Sequence, residues 1–173
     1  MTAIAATHPE QLQRQQTRDR SNRPDLWTLL DQVKDPEIPV LSIWDLGILQ
    51  DVAVNEKNHV VVNITPTYSG CPAMKQIEQD IKECLSSAGY LQATVNSQLS
   101  PAWSTDWMTA HGRQQLKEYG IAPPEEISAR RAVECPQCQS SNVRVLSEFG
   151  STACKALYKC EDCTEPFDYF KCI

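Results

Sequence analysis

Between Pro24 and Ser100 the apolar positions switch repeatedly between a helical and an extended period. Leu26, Leu29, Leu30 and Val33 recur at helical spacing with Asp25 and Asp31 on the other side, which predicts a helix from Pro24. Asp35–Pro36 stops it, because the residue before a proline avoids the α region. With Pro39 close behind, Asp35 to Val40 is expected as an extended loop outside any central strand. Residues 47–55 then alternate, Ile48, Val52 and Val54 against Leu49, Asp51, Ala53 and Asn55; Asn55 to Asn58 reads as a turn, and Val60 to Thr65 as the returning strand. Met74, Ile77, Ile81, Cys84, Leu85 and Ala88 share one helical face, and Gly89 is its expected stop. Leu91, Ala93, Val95, Ser97 and Leu99 alternate against Gln92, Thr94, Asn96, Gln98 and Ser100, a third strand with one buried face. Ser104 can cap a further helix through Trp107, Met108, His111 and Leu116 to Tyr119, ended by Gly120. Trp103 and Trp107, one turn apart, serve either the core or a partner surface.

The order helix–strand–strand–helix–strand, followed by a helix, predicts an α+β fold: a small two-layer α/β domain with its helices on one sheet face. That domain is expected over residues 24–120. Residues 1–23 are polar, with Gln11, Gln13, Gln15 and Gln16 among several arginines, and read as a flexible leader. Residues 121–132, with Pro123–Pro124, two glutamates and two arginines, read as a linker. A cysteine-rich module over residues 133–173 completes the chain.

A hydrophobic content of 41% with 22% charged residues is that of a soluble globular protein, and the net charge of −6 lacks the basic surplus of a nucleic-acid binder. No run approaches the roughly 18 apolar residues of a membrane span. The stretch Met1 to Pro9 has neither the basic flank nor the apolar core of a signal peptide. The protein is therefore expected in the cytoplasm, where thiols stay reduced.

Compartment changes the meaning of the 8 cysteines. Cys135–Pro136–Gln137–Cys138 and Cys160–Glu161–Asp162–Cys163 are two C-x-x-C knuckles. The two-residue spacing lets both sulfurs of a knuckle face one ion, and two facing knuckles complete a tetrahedral site. Cys135, Cys138, Cys160 and Cys163 are thus candidate ligands of a structural zinc, with an iron–sulfur cluster as the alternative occupant of four thiolates. Val143 to Leu146 and Ala156 to Tyr158 can supply the strands of a zinc-ribbon-like module.

Two further cysteines fall in loops. Cys71 follows Tyr68–Ser69–Gly70 and precedes Pro72, a residue favoured at the first helical position, so its thiol is expected at or next to a helix N-cap. Unpaired N–H groups and the helix dipole there favour thiolate, which makes Cys71 a nucleophile or soft metal ligand, unless it is simply a buried core residue. Cys84, on the apolar stripe, reads as core. Cys154 lies in Phe149 to Lys155, a Gly/Ser/Thr loop whose lysine can lower a thiol pKa but whose glycines do not match a phosphate loop. Cys154 and Cys172 are either inert or join Cys71 in holding a labile metal or cluster. His8, His59 and His111 stand in no metal-like or triad-like spacing, so nothing local supports thiol hydrolysis by a Cys71–His pair, and the chain reads as no enzyme by itself.

The Asp35–Pro36–Glu37–Ile38–Pro39 loop, Asp45–Leu46–Gly47 and Thr67 to Cys71–Pro72 together resemble the SufT-like metal–sulfur cluster assembly family, over Pro24 to Ser100. Pro101–Ala102–Trp103–Ser104–Thr105–Asp106–Trp107, Glu118–Tyr119–Gly120–Ile121, Ser147 to Lys159 and Glu165 to Ile173 resemble the PaaD-like proteins of phenylacetate catabolism. That resemblance implies an accessory role for a multicomponent phenylacetyl-CoA epoxidase, which has a di-iron oxygenase subunit and a reductase carrying flavin and a [2Fe–2S] cluster. Its implied work is maturation, by transient handling of iron or an iron–sulfur cluster; the alternative is a stoichiometric epoxidase subunit. The implied partners are the reductase or oxygenase component, with neither nucleic acid nor membrane, and a homodimer is compatible. In the wider family the position matching Cys71 is the reactive one, and Asp45 matches an acidic position near it.

Overall fold

The computed structural model describes residues 9–124 and 132–171. Its contacts divide the chain into Met1–Ala110 and His111–Ile173.

The first unit runs α1 (Pro9–Arg20), α2 (Pro24–Leu30), β1 (Leu49–Val54), β2 (Val60–Ile64), α3 (Ala73–Ser87) and β3 (Ala93–Ser97). β1 and β2 form a hairpin with Val52 opposite Val62 and Val54 opposite Val60. Asn55 shapes its turn: the side-chain oxygen accepts from the N–H groups of Lys57 and His59 at 2.9 and 3.1 Å, and Asn58 takes the left-handed conformation that asparagine tolerates. β3 joins β2 in parallel, Val60 opposite Ala93 and Val62 opposite Val95, a pairing that requires a crossover such as α3. Val52, Val60, Val62 and Ile64 of the sheet are buried, as are Ile77, Ile81 and Leu85 of α3 and Leu26 and Leu30 of α2. Gly89, at φ +91°, ends α3, with the Tyr90 N–H returning to the Leu85 carbonyl at 2.9 Å. The α+β reading and its two-layer domain hold.

Four local expectations change. The expected leader is helical from Pro9 to Arg20, and it docks through polar groups. Arg14 is buried, donates to the Trp107 and Leu49 carbonyls at 2.5 and 2.7 Å, and lies 4.5 Å from the Trp44 ring centroid. The proline loop is folded back instead of extended, because Asp35 Oδ1 accepts from the Glu37 and Ile38 N–H groups at 2.8 and 2.9 Å. Ser104 does cap a helix, accepting from the Asp106 N–H at 3.2 Å. That helix is only the 3-10 turn Thr105–Trp107, and Met108, at ψ 139°, breaks the path to α4 (Ala110–Tyr119). Finally, β3 contributes no buried residue, and Leu91 and Leu99 beyond its ends are exposed.

Trp103 and Trp107 are core residues. The Trp103 indole N–H donates to the Leu46 carbonyl at 3.0 Å and that of Trp107 to Glu10 at 2.5 Å.

The second unit contains α4 from His111 onward, β4 (Ile121–Ala122), β5 (Val143–Ser147), β6 (Lys155–Cys160) and β7 (Pro166–Phe170), in sheet order β4-β7-β6-β5. β5 to β7 pair antiparallel; β4 pairs in parallel with Asp168 and Tyr169. The expected linker therefore opens with a strand. Gly120, at φ +90°, ends α4 and passes the chain straight into β4, which is why α4 groups with the cysteine-rich module instead of the preceding domain. Residues 125–131 of the expected linker lie outside the described residues. Ala122, Cys135, Cys160 and Phe167 form one buried cluster of this unit, with Tyr158 and Tyr169 packed against them, and Leu116, Ile121, Cys154, Ala156 and Phe170 are buried as well.

Candidate metal centre and thiol site

Each C-x-x-C knuckle of the second unit is built the same way. The Cys135 N–H donates to the Ser140 carbonyl at 2.9 Å, and the Cys160 N–H to the Glu165 carbonyl at 2.9 Å. Gln139 and Thr164, each just after the second cysteine of its knuckle, have φ of +63° and +66°. These reversals turn both sulfurs of a knuckle inward. The sulfurs of Cys135, Cys138, Cys160 and Cys163 all lie within 4.8 Å of one another. Cys135 stands 3.6 Å from Cys163, and Cys138 3.6 Å from Cys160. A tetrahedron with Zn–S bonds of about 2.3 Å has edges of about 3.8 Å, so the donor set fits a zinc ion in size as well as chemistry.

Electrostatics agree with that fit. The Cys163 N–H, 3.5 Å from the Cys160 sulfur, leads in drawing that thiol down to about 7. At Cys163 the Glu165 backbone N–H pulls down, but burial and the sulfurs of Cys138, Cys160 and Cys135 push the thiol up to about 12. Four thiols this close do not all ionise unaided, whereas a divalent cation deprotonates them. Among the described residues this is the one group of three or more Cys, His, Asp or Glu side chains whose ligand atoms converge.

Cys71 stands in the first unit, one residue before Pro72, the N-cap of α3. The thiol is half-buried, and its pKa is raised, contrary to the expected thiolate. Burial is the first cause. The Ala73 N–H in the first turn of α3 pulls the other way, as the helix terminus should, and so does a hydrogen bond with Tyr68. Glu37 and then Asp35 add negative charge that raises the pKa again. The proline loop thus brings its acids to bear on a thiol more than thirty positions away in sequence, and the spacing gave no sign of it.

Asp45 is buried in a polar chain. Thr109 Oγ1 donates to it at 2.6 Å, its own N–H donates to Ser42 Oγ at 3.0 Å, and the Ser42 hydroxyl lies within 3.1 Å. Ser42 also reaches Asp31 at 2.6 Å, and Asp31 accepts from both terminal nitrogens of Arg18 at 3.1 Å. Asp45 therefore anchors the turn before β1, while Glu37 and Asp35 bear on Cys71. Gly47, next to it, has φ +82°, and a Cβ there would lie 2.8 Å from Trp107 Cβ. Cys154 is buried in the second unit, with Thr152 Oγ1 at 3.0 Å. The neighbouring Lys155 is buried and pairs with Asp168 at 3.6 Å. Cys172 lies outside the described residues. Cys84 is half-buried, with its sulfur 3.5 Å from the Leu29 carbonyl.

An α/β domain carrying one loop thiol, followed by a four-cysteine ribbon, defines a class in which an iron–sulfur assembly domain precedes a zinc ribbon. Residues 23–96 match the iron–sulfur cluster assembly protein family and residues 122–171 the PaaD zinc beta ribbon domain. The chain is 50% identical over 153 residues to an Escherichia coli (strain K12) protein provisionally named as a subunit of 1,2-phenylacetyl-CoA epoxidase, covering 86% of this chain and 92% of that one. It belongs to the PaaD family, with SufT-like relatives. The first domain is 34% identical over 85 residues to the Fe-S protein maturation auxiliary factor SufT of Staphylococcus aureus (strain USA300), spanning 49% of this chain and 96% of that one. Among solved structures, a domain of unknown function, DUF59, from Bacillus anthracis is similar at 30% identity and TM-score 0.51, covering 61% of this chain and 95% of that one. No helix among the described residues is long and apolar enough to cross a membrane.

Proposed function

We propose that this protein is a cytoplasmic accessory factor that helps iron or an iron–sulfur cluster enter the reductase or oxygenase component of a phenylacetyl-CoA epoxidase, without turning over substrate itself. The observation that carries the reading is the Cys71 thiol, set beside the acids of the proline loop in the domain that matches iron–sulfur assembly proteins. Cys71 offers a soft donor, and the negative charge of Glu37 and Asp35 bearing on it favours a cation there. A thiol kept protonated by burial and acid neighbours is quiet until the cargo arrives. Binding then exchanges the Sγ–H proton, released to solvent, for an iron–sulfur bond. Asp45 holds the loop geometry, and Cys154, in the second unit, is a separate candidate thiol. The ribbon zinc, held by Cys135, Cys138, Cys160 and Cys163, is structural: four protein ligands leave no position open for water.

Iron, acid-labile sulfide and zinc are measured per chain after anaerobic purification of the wild type and of Cys71→Ser. Zinc near one per chain in both, with iron present only in the wild type, is the expected result. Equal iron in the two proteins refutes Cys71 as the carrier. The name of the E. coli relative favours a second reading, a stoichiometric component of the finished enzyme. Finished epoxidase that stays active after this chain is removed excludes it.

A further inference from the structure

Leu91 and Leu99 are 83% and 63% exposed, although they end the alternation that the sequence devotes to a buried face. β3 lies between them as the last strand in the order β1-β2-β3. The Val60 N–H donates to the Gln92 carbonyl and the Gln98 N–H to the Ile64 carbonyl, both at 2.9 Å. In this parallel ladder the even-numbered residues of the stretch therefore face β2. Ala93, Val95 and Ser97 turn their backbone groups outward, where no described strand pairs with them.

Such an edge is ordinarily blunted by charge, proline or a bulge. From Leu91 to Leu99 there is no charged residue and no proline, and the register with β2 runs unbroken. The stretch Leu-Gln-Ala-Thr-Val-Asn-Ser-Gln-Leu is also close to symmetric about Val95: Leu91 and Gln92 recur as Leu99 and Gln98, and the inner pairs match small with small, Ala93 with Ser97, and polar with polar, Thr94 with Asn96. We propose that β3 pairs antiparallel with β3 of a second copy of this chain, about a two-fold axis at Val95. Leu91 then lies opposite Leu99 of the second copy, Ala93 opposite Ser97, and Val95 opposite itself. These are the residues whose backbone groups point outward, so they form the hydrogen-bonded pairs of the new ladder. Gln92 meets Gln98 and Thr94 meets Asn96 on the polar face. The axis is perpendicular to the sheet, which places both α3 helices on one side and extends the apolar face of Val60, Val62 and Ile64 across the join. Each copy carries a net charge of −6, and this uncharged strand is where two such chains meet without like charges opposed. The pairing is isologous, as a two-fold dimer requires.

The full chain, zinc-loaded and in reductant, is weighed by light scattering after size exclusion. The variants are Leu91→Lys/Leu99→Lys and Leu91→Lys/Leu99→Glu. Both side chains are exposed in the single chain, so neither variant disturbs the core, and circular dichroism checks that. The expected result is twice the chain mass for wild type, the single-chain mass when lysine opposes lysine, and recovery of the doubled mass when lysine opposes glutamate. A monomeric wild type overturns the proposal, and so does a dimer that survives the double lysine. Failure of the lysine–glutamate variant to recover the dimer overturns the antiparallel register.

Discussion

Gly47 shows how one residue without a side chain fixes the turn before β1. Alanine there meets two penalties: a positive φ, which costs an L-residue about 1–2 kcal/mol, and a Cβ pressed to 2.8 Å from Trp107 Cβ, an overpacking worth about 1–3 kcal/mol. Gly47→Ala is expected to lower stability by about 2–5 kcal/mol in urea unfolding followed by tryptophan fluorescence. Cys71 is governed first by burial and then by nearby charge. Its raised pKa means less thiolate at neutral pH, so alkylation, read by mass spectrometry of the Cys71 peptide, should be slow at pH 7 and accelerate as pH rises past the ordinary thiol range. Glu37→Gln removes a negative neighbour and lowers the pKa, so alkylation at pH 7 should quicken. Unchanged rates would mean that Glu37 does not act on the thiol.

At the scale of elements, α1 is the clearest departure from its own sequence pattern. It has no apolar stripe, yet Arg14 seals two carbonyls and both Arg14 and Arg18 lie over Trp44. Arg14→Ala leaves the Leu49 and Trp107 carbonyls without that donor, at about 1–3 kcal/mol for each buried orphan. Lysine, lacking the planar fork, should recover little of the loss. Both variants are compared with wild type in urea midpoint; a Lys variant as stable as wild type would argue against the fork geometry. Period-based reading found β1, β2 and α3 to within a residue or two because burial there follows a period, and β3 from its alternation although it buries no residue. It missed α1, whose burial is polar, and the break at Met108, which no glycine or proline marks. It also missed β7, whose five residues open on Pro166 and offer only Phe167, Tyr169 and Phe170 as signal. The four-cysteine site was legible because covalent spacing sets it. The acids around Cys71 were not, because tertiary folding alone brings the proline loop to α3.

Across the whole molecule the two units differ in what stabilises them. The first buries an extended apolar interior spread over α2, α3 and its sheet, whereas the second has a shorter buried set, Ala122, Cys135, Cys160 and Phe167 in one cluster and Leu116, Ile121, Cys154, Ala156 and Phe170 besides. So small a core does not offset the ordering of its chain, and the zinc site supplies the difference. Thr164 sharpens this, since a β-branched residue at φ +66° is strained and is held there by its knuckle. Chelation at neutral pH is therefore expected to release about one zinc per chain and abolish hydrogen-exchange protection in β5, β6 and β7, while the amides of β1, β2 and α3 stay protected. Acid should do the same without chelator, because protons compete with the ion for four thiolates, so stability of the second unit is lost as pH falls. Exchange followed residue by residue tests both arms. Simultaneous loss of protection in the two units would mean that the metal stabilises the chain as a single cooperative body.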